Sequence, residues 1–269
     1  MKLLFIVLIT GVFLNLRAQN ISEKVMETEL AFSKLSVSSG IKTSFLTFLS
    51  DSCVMYNDAI LVNGKSLYEK RSGEEKNILE WYPTYITAPE DGNLALSTGI
   101  YKLTTKANGN ILSEGRFYTI WQKEGEGYKV LFDGGGETNE KFEGFDKAKL
   151  TVSPVSGEKK SKENFEDFFA GFKENLLVGK IDQTVLPKDY FGVIDGKIFY
   201  SVDSLNAALI VHKNVANIQT LGTIFCESGK LAAVVANFVS PKYKTPMMFF
   251  VVFSVQNNKW VMNSIVITE

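Results

Sequence analysis

The sequence predicts an α+β protein made of two tandem cone-shaped domains, each a curved antiparallel sheet wrapped on N-terminal helices. Three observations carry this prediction. Apolar residues at helical spacing come first, strands separated by hairpin turns follow, and the same order of helices and then strands returns after residue 161. Helices followed by a run of strands are typical of α+β rather than α/β architecture. The apparent duplication is one of element order.

The composition excludes several classes of function. Hydrophobic residues make up 45% of the 269 positions, enough to bury one core or two, so the chain is not intrinsically disordered. The 29 basic and 30 acidic side chains predict no basic surface for nucleic acid. One histidine and two cysteines are too few for a zinc site, and we expect no metal and no cofactor. The shortage of histidine also removes the usual general base near neutral pH.

Residues 1–19 have the pattern of an export signal. Lys2 supplies a positive charge, residues 3–14 form an apolar or small run, and a short polar exit contains Ala18. Twelve residues are too few to cross a bilayer as a helix, which takes about 20. We therefore predict a cleaved signal peptide and an exported protein, periplasmic or secreted, with no stable membrane anchor after cleavage. An uncleaved anchor or a buried helix is the alternative.

The first domain is predicted over residues 20–136. Two stretches, 21–35 and 41–49, keep their apolar residues on one helical face and predict amphipathic helices. Ser38 and Ser39 offer an N-cap for the second helix. Five stretches alternate apolar and polar residues or lie between turn sequences, which predicts strands: 53–56, 80–88, 94–105, 113–123 and 128–133.

The second domain is predicted over 162–269, after a linker. Residues 137–161 mix Gly, Pro, Ser and scattered charge without an apolar period, as linkers do. A helix follows on the apolar face of 165–176, and Asp203 is a predicted N-cap for a short helix over 205–210. Four strands close the chain: 216–226, 230–238, 247–255 and 259–268.

The two cysteines, Cys53 and Cys226, fall in different predicted domains. We expect both to be small buried hydrophobic residues with free thiols. A disulfide joining the domains is the alternative, since export would permit one.

Seven segments of the first half occur in an order and spacing typical of one family: ELAFS at 29–33, GIKTSFL at 40–46, NGK at 63–65, WYP at 81–83, STGIY at 97–101, GRFYTIWQK at 115–123 and YKVLFDGG at 128–135. Over about residues 22–136 the chain resembles the nuclear transport factor 2-like superfamily, specifically its SnoaL-like domains. The second half is similar to a diverged copy. The resemblance implies a sheet wrapped around helices, often with a ligand cavity. The superfamily includes isomerases, cyclases and dehydratases as well as non-catalytic modules, so fold does not decide function.

Two-residue hairpin loops at 108–109 and 125–126 predict the register of the central strands. Gly99 would face Tyr118, and Tyr118 would face Asp133. Because side chains alternate along a strand, the sheet acquires two unlike faces. The face predicted to lie against the helices carries Leu96, Thr98, Ile100, Phe117, Thr119, Trp121, Val130 and Phe132. The opposite face carries Ser97, Gly99, Tyr101, Glu114, Arg116, Tyr118, Leu131 and Asp133.

On the opposite face, Tyr101, Arg116, Tyr118 and Asp133 form a candidate partner or interdomain site. Arg116 would donate hydrogen bonds to an anion or a partner, with Asp133 orienting its guanidinium. The alternative is a solvated or domain-packing face held by ordinary cross-strand pairs.

The resemblance implies a ligand cavity on the helix-facing side, where Tyr56, Asp58, Trp81 and Trp121 are candidate ligand-binding residues. Aromatic residues at such positions equally serve as core. SnoaL-type cyclases and scytalone-type dehydratases use His with Asp, but the first domain has no histidine. His212 follows the short helix of the second domain, where we expect a helix-end or surface residue. Catalysis would need an Asp and Tyr scheme like that of ketosteroid isomerase, with Asp58 a conceivable base.

These observations favour a non-catalytic exported protein that binds a small ligand or a protein partner through the first cone. A histidine-independent isomerase or lyase, using Asp and Tyr in that cone, is the second hypothesis. The third is purely structural, with two cones packed sheet to sheet.

Overall fold

The computed structural model describes residues 2–212, 218–239 and 246–268, with side chains from residue 21 onward. The chain forms two tandem α+β units, each with helices on one sheet. This confirms the predicted fold class and is consistent with two cone-shaped domains. The first two residues of the strand predicted over 216–226 lie outside the described residues. No described helix combines the length and the hydropathy that crossing a membrane requires.

The first unit contains three α-helices and seven strands among the described residues. The helices are α1 (Lys2–Ser39), α2 (Ile41–Phe48) and α3 (Gly64–Glu69). The strands are β1 (Leu49–Asn57), β2 (Ile60–Asn63), β3 (Asn77–Thr87), β4 (Leu94–Thr105), β5 (Ile111–Glu124), β6 (Gly127–Glu137) and β7 (Thr151–Ser153). They pair in the order β2-β1-β6-β5-β4-β3-β7.

The second unit follows with α4 (Lys162–Leu177), β8 (Phe191–Ile194), β9 (Lys197–Phe199), α5 (Val202–Leu209), β10 (Ile218–Phe225), β11 (Leu231–Val239), β12 (Pro246–Gln256) and β13 (Lys259–Thr268). The sheet order is β10-β11-β12-β13-β8-β9. This repeats the topology of β1 to β6: a hairpin, a short helix, and a four-stranded meander whose last strand returns beside the hairpin. The N-cap of α5 is Ser201 rather than the predicted Asp203, because the Ser201 side chain accepts from the Ser204 N–H at 3.3 Å.

The sequence predicts antiparallel sheets, and each sheet also contains at least one parallel strand pair. β1 is parallel to β6, and β8 is parallel to β13. In each unit the long connection through the meander brings the last strand back beside the first, which permits a parallel pair. The predicted linker also contributes to a sheet, because β7 lies within 137–161 and pairs in parallel with β3.

The two sheets pack against each other through the faces that point away from the helices. The intersheet core draws Tyr118, Ile120 and Phe132 from the first unit and residues such as Phe250 from the second. The Phe132 and Phe250 rings stack with centroids 4.7 Å apart. Separate cores lie between helices and sheet in each unit, so the molecule has three apolar layers.

Both predicted hairpin registers are wrong by one residue. Thr105 and Asn110 close a four-residue turn, and Leu112 is an extra residue in β5, so that Phe117 rather than Tyr118 faces Gly99. The loop at 125–126 is as predicted.

Farther along β6, Leu131 is an extra residue, and Asp133 therefore faces Thr119 instead of Tyr118. Each shift has the form of a β-bulge, in which two residues of one strand oppose one of its partner.

The register shifts move side chains to the opposite face of the sheet. Leu96 and Phe132, predicted to face the helices, are buried in the intersheet core. Tyr101 packs against the helix-facing core, and Asp133 pairs with Thr119 on that side. The predicted cluster of Tyr101, Arg116, Tyr118 and Asp133 is therefore divided between two layers of the molecule.

Candidate functional site

A cavity of about 490 Å³ lies between the helices and the sheet of the first unit. Elements α2, α3, β1, β3, β4, β5 and β6 all contribute to its wall. Most of the lining side chains are aromatic or aliphatic, among them Phe45, Tyr68, Leu79, Trp81, Tyr101 and Phe117. The hydrophobic spacing of α2, which buries Phe45, turns this helix toward the sheet and closes one side.

Asp133 is the one carboxylate among the described residues that line the cavity. Its Oδ1 accepts a hydrogen bond from Thr119 Oγ1 at 2.8 Å. Burial raises the pKa of Asp133 from 3.8 to about 8, the Thr119 hydrogen bond partly offsets this, and the charge of Glu29 raises it further. At neutral pH this side chain is therefore largely a neutral carboxylic acid, able to donate a hydrogen bond.

Glu29 of α1 is fully buried behind this wall. Its Oε1 accepts from Trp81 Nε1 at 2.6 Å, and its Oε2 accepts from Trp121 Nε1 at 2.9 Å and from Ser97 Oγ. Burial raises the pKa of Glu29 from 4.5 to about 7, and the three hydrogen bonds oppose that rise. Through the Trp81 indole, which itself lines the cavity, Glu29 fixes one aromatic wall.

Further polar side chains border the cavity, among them Tyr101, Ser113 and Arg71. Tyr101 Oη and Ser113 Oγ share a hydrogen bond of 3.1 Å, and burial raises the pKa of the Tyr101 phenol. Arg71 is exposed, and its guanidinium carbon lies 4.1 Å from the centroid of the Tyr68 ring. A cation thus stands at the cavity rim while the acid Asp133 lies in its wall.

The loop that carries Arg71 is fastened to α2. The Glu75 carboxylate accepts from the backbone N–H groups of Ile41 and Lys42 at 2.7 and 2.5 Å, and Lys42 Nζ donates to the Arg71 carbonyl at 2.7 Å. The predicted caps Ser38 and Ser39 do not act here, because Gly40 is the N-cap residue, at φ 96° and without a side chain. A carboxylate from a distant loop takes their place at the positive end of the helix.

Of the four residues predicted to line the cavity, two do so and two lie elsewhere. Trp81 lines the cavity, and Tyr56 borders it while packing against the intersheet core. Trp121 lies behind the wall, bonded to Glu29. Asp58 is exposed in the β1–β2 turn at φ 49° and does not line the cavity, so Asp133 replaces it as the acidic group.

Arg116 is buried with a partner other than the predicted Asp133. Its guanidinium forms a two-pronged ion pair with Glu140, in which Nε donates to Oε2 at 2.8 Å, and Nη1 donates to Thr84 Oγ1 at 3.1 Å. Its carbon lies 5.0 Å from the Phe191 ring centroid of the second unit. Arg116 and the neighbouring Tyr118 therefore lie where the two units pack together, as the alternative of a domain-packing face predicts.

The remaining reactive side chains are buried away from the cavity. His212 lies at a helix end, as expected, but it is buried rather than on the surface, with Nε2 3.5 Å from Asp195 Oδ2. Cys53 and Cys226 are both free and buried, and burial raises the pKa of each thiol. Within the described ranges no group of three or more His, Cys, Asp or Glu side chains could hold a metal ion.

Glu29 and Asp133 are the functional candidates that sequence reasoning missed or misplaced. Glu29 had a usable signal, since it falls on the apolar helical stripe that contains Val25 and Phe32, and a charge on such a stripe is rarely buried without a partner. Asp133 was placed on the wrong face by the hidden bulge at Leu131.

No family model matches the chain, and no curated protein matches it either. Among solved structures, the chain is similar to Rd1NTF2_05 carrying five substitutions, with 10% identity over 44% of this chain and 98% of that one, at a TM-score of 0.31. A de novo designed NTF2 fold protein, NT-9, shares 16% identity over 40% of this chain and 85% of its own, at 0.30. An Ntf2 like protein involved in plasmid conjugation shares 9% identity over 93% and 96%, at 0.26. All three are NTF2-type proteins.

Proposed function

We propose that the first unit binds a small, largely apolar molecule in the cavity between its helices and its sheet. The volume of about 490 Å³ falls within the range of about 300–1,000 Å³ that ligand pockets occupy. An apolar wall with few polar groups is the usual composition of such pockets. Binding without chemical conversion is the function that this arrangement supports best.

The observation that carries the proposal is the Asp133 carboxyl in the cavity wall. With a pKa of about 8, it is a hydrogen-bond donor at neutral pH, and it loses its proton as the pH rises through 8. A ligand whose polar end is an acceptor, such as a carbonyl oxygen, would therefore bind more tightly below pH 8 than above it.

A fluorescent aromatic ketone, 6-propionyl-2-dimethylaminonaphthalene, tests this proposal. We expect it to bind the wild-type chain with an affinity that falls between pH 7 and pH 9. In Asp133→Asn the amide still donates but does not titrate, so binding should persist and lose its pH dependence. Asp167→Asn is the matched control, because Asp167 is an exposed acid on α4, outside the cavity. Equal pH dependence in wild type and Asp133→Asn would contradict the assigned role.

Proton transfer is the second candidate function, because a carboxyl with a pKa of about 8 is matched to acid–base work near neutral pH. An isomerase or lyase would use the ionised Asp133 as base and the Tyr101 hydroxyl as a donor. Its rate would rise as the pH increases through 8, opposite to the binding trend. Incubation with a β,γ-unsaturated ketone, followed by ultraviolet absorbance of the conjugated product, separates the two. Unchanged ketone at all pH values would favour binding.

We also propose that the first unit is a SnoaL-like domain of the nuclear transport factor 2-like superfamily and that the second is a diverged copy. The seven ordered segments of the first half and the repeated strand order support this.

We further propose that the protein is exported to the periplasm or the medium, which the charge and the apolar run of residues 2–14 support. The intact mass of the exported protein should lack the first 18 or 19 residues, and a full-length mass would contradict export by cleavage.

A further inference from the structure

A second space lies beside the cavity, in a groove between the two units. Its volume is about 650 Å³. Asn57 and Asp58 line it from the first unit, and Pro246, Met248 and Thr268 line it from the second. The groove is thus partly apolar, with an amide, a carboxylate and a hydroxyl, and no Lys or Arg side chain is among its described lining residues.

The cavity and the groove share part of their walls. Tyr56, Asn57, Gly134 and Gly135 line both spaces. These residues lie just beyond the point where β1 and β6 stop pairing, at Met55 and Asp133. After that point β1 pairs only with β2, and β6 pairs only with β5. The sheet therefore has a gap in its ladder where the two spaces meet.

The glycine run at the end of β6 leaves this gap without side chains. A Cβ built on Gly134 would touch only the Phe132 ring, at 3.5 Å, and Phe132 belongs to the intersheet core. A side chain at this position would therefore extend toward the groove, in ordinary van der Waals contact with the Phe132 ring. Gly134 does not have a positive φ, so its backbone conformation does not require glycine. Gly134 therefore places no side chain between this end of the sheet and the groove.

Tyr56, which lines both spaces, carries a hydroxyl that the described residues leave unsatisfied. Its Oη is buried, and no hydrogen-bond partner for it occurs in the described part of the chain. A buried hydroxyl without a partner is costly, and a polar atom of a ligand threading the gap would satisfy it.

We infer that the cavity and the groove form one two-compartment site for an elongated amphiphile, which passes through the sheet between β1 and β6. The apolar part occupies the cavity, and an uncharged head that bears hydroxyl groups lies in the groove. Asn57 and Thr268 can bond to such a head, and Asp58 would repel an anionic one. This inference rests on the proposed ligand binding in the cavity, and it adds the shape and the head chemistry of the ligand.

Two probes separate the compartments: n-octanol, which needs only the cavity, and n-octyl β-D-glucoside, which also needs the gap and the groove. Calorimetry on the full chain should show that both bind wild type. In Gly134→Leu we expect the glucoside to bind about tenfold more weakly, with octanol unchanged. Gly127→Leu, at the other end of β6 where a Cβ meets nothing within 4 Å, is the control and should bind both probes normally.

Tyr56→Phe provides an independent check, since it removes the unsatisfied hydroxyl without breaking a bond in the described structure. We expect weaker glucoside binding without a fall in melting temperature, since the hydroxyl that is removed has no partner in the described part of the chain. Unchanged glucoside affinity in Gly134→Leu, or octanol binding without any glucoside binding in wild type, would overturn the two-compartment site and leave the proposed function intact. Failure of wild type to bind octanol would overturn both.

Discussion

Replacing Glu29 with Gln should change how the stability of this protein depends on pH. Glu29 is buried on α1 and accepts hydrogen bonds from two indole N–H groups and one hydroxyl. An amide offers one acceptor oxygen and an NH2 group in place of the second oxygen. At least one indole N–H, of Trp81 or Trp121, would then face another donor, at a cost of about 1–3 kcal/mol.

The pH dependence follows from the raised pKa of Glu29. The folded value of about 7 lies above the ordinary 4.5, so the folded chain holds this proton more tightly than the unfolded chain does. The resulting stabilisation is fully present below pH 4.5 and is lost as the pH rises through 7. At about 1.4 kcal/mol for each pH unit, the loss amounts to about 3 kcal/mol. The Glu29→Gln variant would not show this loss, because an amide does not titrate.

Urea unfolding of wild type and Glu29→Gln at pH 5, 6, 7 and 8 measures this difference. We expect the variant to be less stable at pH 5, and the unfolding free energy of wild type minus that of the variant to fall by roughly 2.5 kcal/mol between pH 5 and pH 8. Glu27→Gln, an exposed position on the same helix, controls for the change in net charge. A difference between wild type and Glu29→Gln that stays constant across the four pH values would refute the buried, proton-binding Glu29.

Three further predictions concern packing. Arg116→Met should cost about 3–5 kcal/mol in urea unfolding because it strands the mostly buried Glu140 carboxylate, and the additional change Glu140→Leu should recover much of that loss. Phe253→Ala should cost about 3–5 kcal/mol, since this ring is fully buried and contacts several aromatic rings of α4; a smaller loss would mean that the core collapses around the cavity. Cys53 and Cys226 should react with a thiol reagent only as fast as the chain opens, and rapid native labelling would contradict their burial.

The order of elements was predictable from the sequence because it depends on local periodicity. The apolar spacing of 165–176 and the turn sequence at 257–258 determine where α4 lies and where β12 gives way to β13. The parallel strand pairs were not predictable in the same way. They depend on which distant strands meet, and nothing within β1 or β8 encodes that choice.

The two bulges account for the errors at the site. Leu112 and Leu131 are ordinary strand residues within apolar or mixed runs, so no glycine or turn sequence marks them as extra. Yet a shift of one residue moves a strand's side chains to the other face of its sheet. Asp133 consequently lines the cavity. Arg116 lies in the intersheet layer and forms an ion pair with Glu140, a residue of the predicted linker.

The scarcity of histidine excludes less chemistry than composition alone suggests. Histidine matters near neutral pH because its ordinary pKa lies there, but that reasoning holds for solvated side chains. In the first unit, burial carries the pKa of Glu29 to about 7 and that of Asp133 to about 8, so two carboxyls titrate where a histidine would. Because the shift depends on which side chains surround the carboxyl, it arises from tertiary packing. A domain without histidine can therefore still bind, donate or accept a proton at physiological pH.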